Sequence, residues 1–388
     1  MSMRKIVVFT GTRAEYGLLR SLISSLSKSC DVDLTLLVSG THLSSRFGKT
    51  INEIEKDNFA PLHVEDIGLG DGTPLGICVT MSAALERYAQ ALHMLRPDLL
   101  VVLGDRYEGF CAVTAATMLG IPIAHLFGGC TTQGAIDEAL RHSMTKMSHL
   151  HFATCEVNRR RLIQLGEDPH RVWTVGSFGV ENVHKMPIMK EQDVRQSLHL
   201  PADVPYFVVT YHPVTLEKEP PLEAVKRLLA ALRSQDAYYV FTGANADSGG
   251  SQINDFLQKE SERDEKMRFF VSLGVLLYIN SARYSAGVIG NSSSGVGEIP
   301  SLGIPVLDIG DRQKGRVCSS AVLHCPGDME SMRSCIQQMR TAPIIERAQK
   351  TPNPLDIPNT TDTIANILRA YPLQGILKKE FFDIENQN

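Results

Sequence analysis

A chain of 388 residues, 43% hydrophobic and 21% charged, is long enough for two full cores and needs no covalent staples to fold. Thirty-nine basic against forty-three acidic residues leave a formal charge of −4, which disfavours a duplex nucleic-acid binder, whose affinity rests on many phosphate contacts. The eight cysteines form no C-x-x-C pair and no apolar run reaches the ~18 residues of a membrane span, so the expectation is a cytoplasmic protein without a disulfide framework, metal site or membrane partner.

Met3-Arg4-Lys5 runs straight into a short apolar segment, and Ile6 to Phe9 predicts the first strand. Leu18, Leu19, Leu22, Ile23 and Leu26 then recur at helical spacing. Strands are expected at Leu34 to Val38 and Leu99 to Leu103, followed by a helix through Thr117 and a strand at Ile121 to His125. A helix over Ala135 to Met147 and strands at His149 to Ala153 and Val172 to Gly176 close this series. Such alternation predicts a parallel sheet covered on both faces. After a looser Met- and Pro-containing stretch over 183–201 the pattern restarts, with strands at Tyr206 to Thr210, Tyr238 to Thr242, Met267 to Val271, Gly287 to Ile289 and Ile304 to Leu307. Pro352 to Asn359 reads as a surface turn and Leu373 to Asp383 as a last helix. The expected fold class is therefore α/β, two Rossmann-like doubly wound lobes facing a cleft. Residues 1–178 form the first lobe and 179–370 the second, with a hinge near 176–190 and a terminal helix over 371–388 that packs on either lobe.

In doubly wound sheets ligands bind beyond the carboxyl ends of the strands. Polar signatures accumulate there. Gly11-Thr12-Arg13-Ala14-Glu15-Tyr16 follows the first strand, and Arg13 offers a forked donor suited to phosphate; the plain alternative is a turn with a helix cap. No Walker lysine is present, so an ATP-type phosphate loop is disfavoured. Gly104-Asp105-Arg106 sets a carboxylate beside a guanidinium, apt for proton transfer, with helix capping by Asp105 as the alternative. Asp137, Arg141 and His142 share or adjoin one helix face, and for His142 a structural role is the better reading. Tyr211-His212-Pro213 ends the first strand of the second lobe, a location suited to acid/base or phosphate work by His212. Gly290-Asn291-Ser292-Ser293-Ser294-Gly295-Val296-Gly297-Glu298 joins a strand to a helix start, an anion site, with Glu298 placed to accept both hydroxyls of a ribose.

Together GTRAEYGLL, GDRYE, GGCTTQGAIDEALRHSMTKMSHLHF, LGEDP, HPVT and GNSSSGVGE resemble the hydrolysing UDP-N-acetylglucosamine 2-epimerase family, in its bacterial branch serving sialic and legionaminic acid synthesis. The long GAIDEALRH–KMSHLHF stretch is the specific part, and the likeness covers nearly the whole chain. The resemblance implies a two-lobed fold of the glycosyltransferase-B type, a UDP-sugar substrate, UDP as product and no cofactor. It implies elimination of UDP across C1–C2 followed by hydration of the glycal. Carried over, Arg13, Arg106 and His212 surround the phosphates and reacting sugar, Ser292 and Ser293 hold the diphosphate, and Glu298 holds the ribose. Asn245, Ser272 and Arg312 align less securely with nucleotide positions. Asp105 and Asp137 match acid/base carboxylates, with Arg141 positioning the substrate or a carboxylate.

One departure from the family pattern matters. Relatives carry glutamates where this chain has Phe127 and Cys130. A phenyl ring moves no protons, so Asp105, Asp137 and His212 are expected to share the acid/base work. Cys130 is a poor nucleophile candidate, because elimination forms no covalent intermediate. Phe127 either borders the sugar, favouring UDP-N,N′-diacetylbacillosamine, or packs between loop and helix; UDP-N-acetylglucosamine stays first. A glycosyltransferase of the same shape and an inactive UDP-sugar binder are the competing classes. A homodimer or homotetramer is expected by family habit, with the apolar helices around 81–95 and 110–119 serving either that contact or the sheet.

Overall fold

A computed structural model describes residues 3–45, 48–70, 73–132, 136–214, 219–244 and 249–384. The chain divides into two compact units, one of residues 1–181 with 357–388 and one of residues 182–356.

The first unit alternates strand and helix: β1 (Arg4–Thr10), α1 (Arg13–Ser27), β2 (Val32–Ser39), α2 (Ile51–Asp57), β3 (Leu62–Glu65), α3 (Pro74–Leu95), β4 (Leu99–Leu103), α4 (Tyr107–Met118), β5 (Ile123–Leu126), α5 (Asp137–Met147), β6 (Leu150–Ala153), α6 (Glu156–Gln164), β7 (Val172–Thr174) and α7 (Phe178–Lys185). Among the described residues its strands lie in the order β3-β2-β1-β4-β5-β6-β7, all parallel. A central parallel strand is covered on both faces, so it reads as an unbroken apolar run, and LLVVL of β4 is buried throughout. Ile6 and Val8 face the stripe Leu19, Leu22, Ile23 and Leu26 of α1. Val7 and Phe9 face Tyr88 of α3 and Ala112 and Ala116 of α4. The small residues of α3 and α4 thus cover the sheet.

The second unit begins within α7 and runs through α8 (Glu191–Ser197), β8 (Tyr206–Thr210), α9 (Pro221–Arg233), β9 (Tyr238–Thr242), α10 (Gly250–Ser261), β10 (Met267–Phe270), α11 (Gly274–Arg283), β11 (Gly287–Gly290), α12 (Ser293–Gly297), β12 (Val306–Ile309), β13 (Leu323–Cys325), α13 (Met329–Met339) and α14 (Ala342–Lys350). Its six parallel strands follow the order β10-β9-β8-β11-β12-β13. Phe207, Val209 and Phe241 bury one face under α9 and α13, while Tyr206, Val208 and Val240 bury the other under α8 and α11. Two doubly wound sheets are as expected. Among the described residues no helix is long and apolar enough to cross a membrane.

Three expectations need correction. The edge strands β3 and β13 are absent from the sequence reading, because each is short and half polar. The expected helix over Leu373 to Asp383 does not form; Gly375 takes a left-handed backbone, φ 74, and the chain makes turns there instead. The last helix is instead α15 (Thr360–Ala370), and residues 357–370 group with the first unit, not with the second lobe. The reason is a buried stripe: Ile364, Ala365 and Leu368 of α15 join the core under α1. Arg4 fastens the end of α15 by donating to the carbonyls of Leu368 and Tyr371.

The tail beyond α15 also stays on the first unit. Ile376 is buried in the same core. Lys379 Nζ donates to the carbonyls of Lys146 (2.9 Å) and Ser148 (2.7 Å) at the end of α5, and lies 2.6 Å from Glu167 Oε2. Glu167 is buried; against the cost of burial, His151, Lys146 and Lys379 hold its carboxyl down at about 2. Lys379→Met therefore leaves a buried carboxylate short of one cation. The expected loss is about 2 kcal/mol, read as a lower urea midpoint.

Candidate functional site

In each sheet the strand order reverses beside the first strand of its unit, between β1 and β4 and between β8 and β11. Loops leaving the carboxyl ends part in opposite directions at such a point and open a crevice for ligand. Of the residues singled out above, Arg13, Asp105 and Arg106 follow β1 and β4, and His212, Ser292 and Ser293 follow β8 and β11.

In the first unit Thr12 caps α1, and the cap is reciprocal. Glu15 N–H donates to Thr12 Oγ1 (3.3 Å), while the N–H groups of Gly11 and Thr12 donate to Glu15 Oε2 (2.8 and 3.0 Å). This folds the Glu15 carboxylate back under the loop, where the adjacency of β1 and β4 brings it beside Arg106 and Glu108. Arg106 forks onto the fully buried Glu108, Nε at 3.1 Å and Nη2 at 2.8 Å. Two buried carboxylates thus share one guanidinium. Burial pushes the Glu15 carboxyl up to about 7, with Glu108 adding and the two amides and Arg106 opposing. Because the folded state holds this proton more tightly than the unfolded chain, the group lowers stability as pH rises from about 4.5 to about 7. Glu15→Gln should remove that slope, gaining roughly 3 kcal/mol on the parent between those limits in denaturant titrations. Arg13, by contrast, projects from the first turn of α1 to solvent, its Nε 3.1 Å from Glu53 Oε1.

Asp105 does not cap the next helix; the N-cap of α4 is Arg106, without a side-chain bond. Asp105 Oδ2 instead accepts from Arg141 Nε (2.8 Å) and Nη2. Arg141 is 3% exposed and spends its other donors on the Cys130 carbonyl (2.8 Å), Glu138 Oε2 (2.8 Å) and Thr132 Oγ1 (2.9 Å). Asp137 opens α5 half-buried, its carboxyl pushed up by burial and then by the neighbouring Asp105, with Arg141 and Arg106 pulling the other way. Asp105, Asp137 and Arg141 therefore form one assembly. The loop bearing Asp105 is fixed by His125, whose Nε2 lies 2.7 Å from the Gly104 carbonyl and which burial keeps neutral, at about 4. His142 is held 3.1 Å from Glu138 Oε1, a structural placement. Phe127 packs its ring 5.1 Å from Phe178 against the first core, the second of its two expected placements. Cys130 Sγ accepts from Asn158 Nδ2 (3.1 Å).

In the second unit a single asparagine organises the crevice. His212 N–H donates to Asn291 Oδ1 (2.7 Å), and Asn291 Nδ2 returns a bond to the His212 carbonyl (2.9 Å). Arg312 Nη1 and Gln313 Nε2 both donate to the Asn291 carbonyl, at 3.0 and 2.8 Å. His212, the Gly290–Ser293 turn and Arg312 are brought together in this way. Ser292 is the N-cap of α12 with its hydroxyl unused by the cap, and Ser293 is exposed beside it. Glu298 follows α12; burial raises its carboxyl against a hydrogen bond from Ser294, and among the described residues its Oε2 is buried without a hydrogen-bond partner. An orphaned acceptor of this kind fits a ligand hydroxyl. Ser272 is exposed past β10, two strands from β8, its Oγ accepting from Gly274 N–H (3.2 Å). Asn245 lies outside the described residues. Among the described residues no group of three His, Cys, Asp or Glu side chains is disposed to hold a metal ion.

Sequence reasoning assigned no role to Glu15, Glu108, Glu138 or Asn291. The T-x-x-E spacing of a capping box could have pointed to Glu15; for Asn291, only its place inside GNSSSG hinted at a role.

The family model described as UDP-N-acetylglucosamine 2-epimerase matches residues 24–369. The chain is 38% identical over 325 residues to the GDP/UDP-N,N′-diacetylbacillosamine 2-epimerase (hydrolyzing) of Campylobacter jejuni, covering 83% of this chain and 84% of that one. It is 36% identical over 391 residues to polysialic acid biosynthesis protein P7 of Escherichia coli, covering 98% of each. In fold it resembles the crystal structure of UDP-GlcNAc 2-epimerase from Neisseria meningitidis bound to UDP-GlcNAc, with a TM-score of 0.72, 18% identity and 94% and 99% of the two chains covered. With the family model spanning most of its length and relatives this similar over nearly all of theirs, the chain belongs to the UDP-N-acetylglucosamine 2-epimerase family.

Proposed function

We propose that the protein is a hydrolysing UDP-sugar 2-epimerase that converts UDP-N-acetylglucosamine and water to N-acetylmannosamine and UDP, supplying a nonulosonic (sialic) acid route. The observation that carries the reading is the Asp105–Arg141–Asp137 assembly, in which one carboxylate is gripped by a buried guanidinium and its neighbour is pushed toward the protonated form. A carboxylate held by a buried guanidinium, beside a carboxyl pushed toward its protonated form, suits proton removal and proton return on one substrate.

The chemistry is an elimination and an addition. A carboxylate takes the C2 proton, the C–H electrons become the C1=C2 double bond, and the C1–O pair leaves with UDP. Water then adds, hydroxyl to C1 and a proton to C2 from the opposite face, so the configuration at C2 inverts. Arg106, Arg13 and His212 stabilise charge on the departing diphosphate. Ser292, Ser293 and Arg312 hold it, and the orphaned Glu298 Oε2 accepts from the ribose hydroxyls. No cofactor takes part, since no hydride leaves the sugar.

A second substrate has a specific observation behind it: the Campylobacter relative, at 38% identity, is named for N,N′-diacetylbacillosamine. The test is incubation of each UDP-sugar with the enzyme in deuterated water, without acceptor. Equal amounts of UDP and free C2-inverted sugar, deuterated at C2, are expected from one of the two. Release of a sugar that keeps its C2 proton and configuration would leave only glycosyl phosphate hydrolysis. No release from either would leave a transferase or an inactive binder.

A further inference from the structure

Away from the groups assigned above, three side chains of the second unit stand in the order thiol, imidazole, carboxylate. Asp308 of β12 and His324 of β13 are register partners on adjacent parallel strands. That places their side chains on one face of the sheet. His324 Nδ1 accordingly meets Asp308 Oδ2 at 3.0 Å. Asp308 is 2% exposed, and its Oδ1 has no other partner, so the imidazole is its principal source of compensation. The loop from Gly310 to Val322 then returns over this pair and brings Cys318 Sγ to 3.8 Å from His324 Nε2. Cys318 is half-buried and the His324 side chain is 56% exposed, so solvent and small reagents reach both.

The Asp308 hydrogen bond, then that of Cys318, holds the His324 proton up to about 10. At neutral pH the ring is therefore an imidazolium whose Nε2–H points at sulfur. An imidazole ring within hydrogen-bonding reach of a sulfur is the pairing that activates a thiol nucleophile. Cys78 is exposed, Cys30 is exposed with the Arg369 guanidinium near it, Cys130 and Cys335 are half-buried like Cys318, and Cys111, Cys155 and Cys325 are buried.

We propose that Cys318 is a covalent modification site for soft electrophiles, activated by the Asp308–His324 pair, and that an adduct there loosens the nucleotide turn. The second half rests on the nucleotide reading given above. The mechanical link is short: Cys318 shares its loop with Arg312 and Gln313, the two donors that hold the Asn291 carbonyl. With iodoacetamide the sulfur lone pair forms the S–CH2 bond, the C–I bond breaks, iodide leaves with its electron pair and the thiol proton passes to solvent.

The experiment is a timed iodoacetamide pulse on the full-length protein at pH 7, with each cysteine followed by peptide mass spectrometry. Cys318 should alkylate about tenfold faster than Cys30 and Cys78, and His324→Gln should bring it down to their rate while leaving those two unchanged. Alkylation of Cys111 or Cys155 reports loss of fold, in which case His324→Asn replaces the first variant. Cys318 reacting no faster than Cys30 and Cys78, or equally fast without the imidazole, overturns the activation. The alkylated protein should bind UDP about fivefold more weakly, with reagent-treated Cys318→Ser unaffected, since the adduct displaces a loop that carries a charged donor. Unchanged affinity overturns the loosening alone. Absence of UDP binding by untreated protein overturns the nucleotide reading and leaves the alkylation result intact.

Discussion

Asp137→Asn is expected to lower UDP-sugar turnover by about 10³-fold while UDP affinity stays within about twofold, because a positioned proton-transfer group contributes about 10²–10⁴. Asparagine keeps the shape and the polar contacts of the first turn of α5, so the substitution removes the titrating group and little else. UDP is assigned to the second unit, whose turn the change does not touch. The carboxyl is raised by burial and by Asp105, so the acid limb of kcat/KM should lie above the ordinary aspartate range near ~3.9 and vanish in the variant. Steady-state release of free sugar, with UDP titrated calorimetrically, checks both halves. Near-parental turnover in Asp137→Asn would remove this residue from the mechanism.

Gly290→Ala is expected to cost more than about 4 kcal/mol, enough to unfold the second unit. Gly290 sits at φ 140, and a Cβ there would lie 1.8 Å from the carbonyl oxygen of Thr210. The two residues are register partners of β11 and β8, so relief requires parting the strand pair that holds His212 and Ser292. Soluble yield and a urea transition followed by circular dichroism measure the effect. Gly17→Ala is the matched control: its site in α1 has nothing within 4 Å, so it should gain up to ~1 kcal/mol from helix propensity. A Gly290→Ala protein as stable as its parent would contradict the packing described for this pair.

What could be read from the chain alone follows from which forces act locally. β4, β8 and β9 coincide with their expected bounds, since an uninterrupted apolar run between turn signals has few other uses in a doubly wound sheet. β3 and β13 escaped because an edge strand buries one side only, and His63, Glu65 and His324 break the run. α15 was hidden behind Pro352–Asn359, which drew the end of the fold too early, while the more apolar stretch after Pro372 took its place. At the site, Asp105 and Arg141 were both named, yet their pairing spans 36 positions and no spacing rule reaches that far. Glu15 was visible as part of a cap; that it sits buried beside Glu108 depends on β1 and β4 being neighbours, a property of strand order. Phe127 stands at φ 66 with its ring against Phe178, a long-range contact that no local spacing announces.

The core of the first unit contains Ile364, Leu368 and Ile376 from the far end of the chain, whereas the second unit is one unbroken segment, 182–356. On the ribosome this inverts the usual order of maturation, in which domains made first finish first. The first unit must wait, with the underside of α1 uncovered, until residues 357–376 are translated. The later segment, complete in itself, has everything it needs before then. A chain that stops near residue 356 would therefore lack the helix that covers the apolar face of α1.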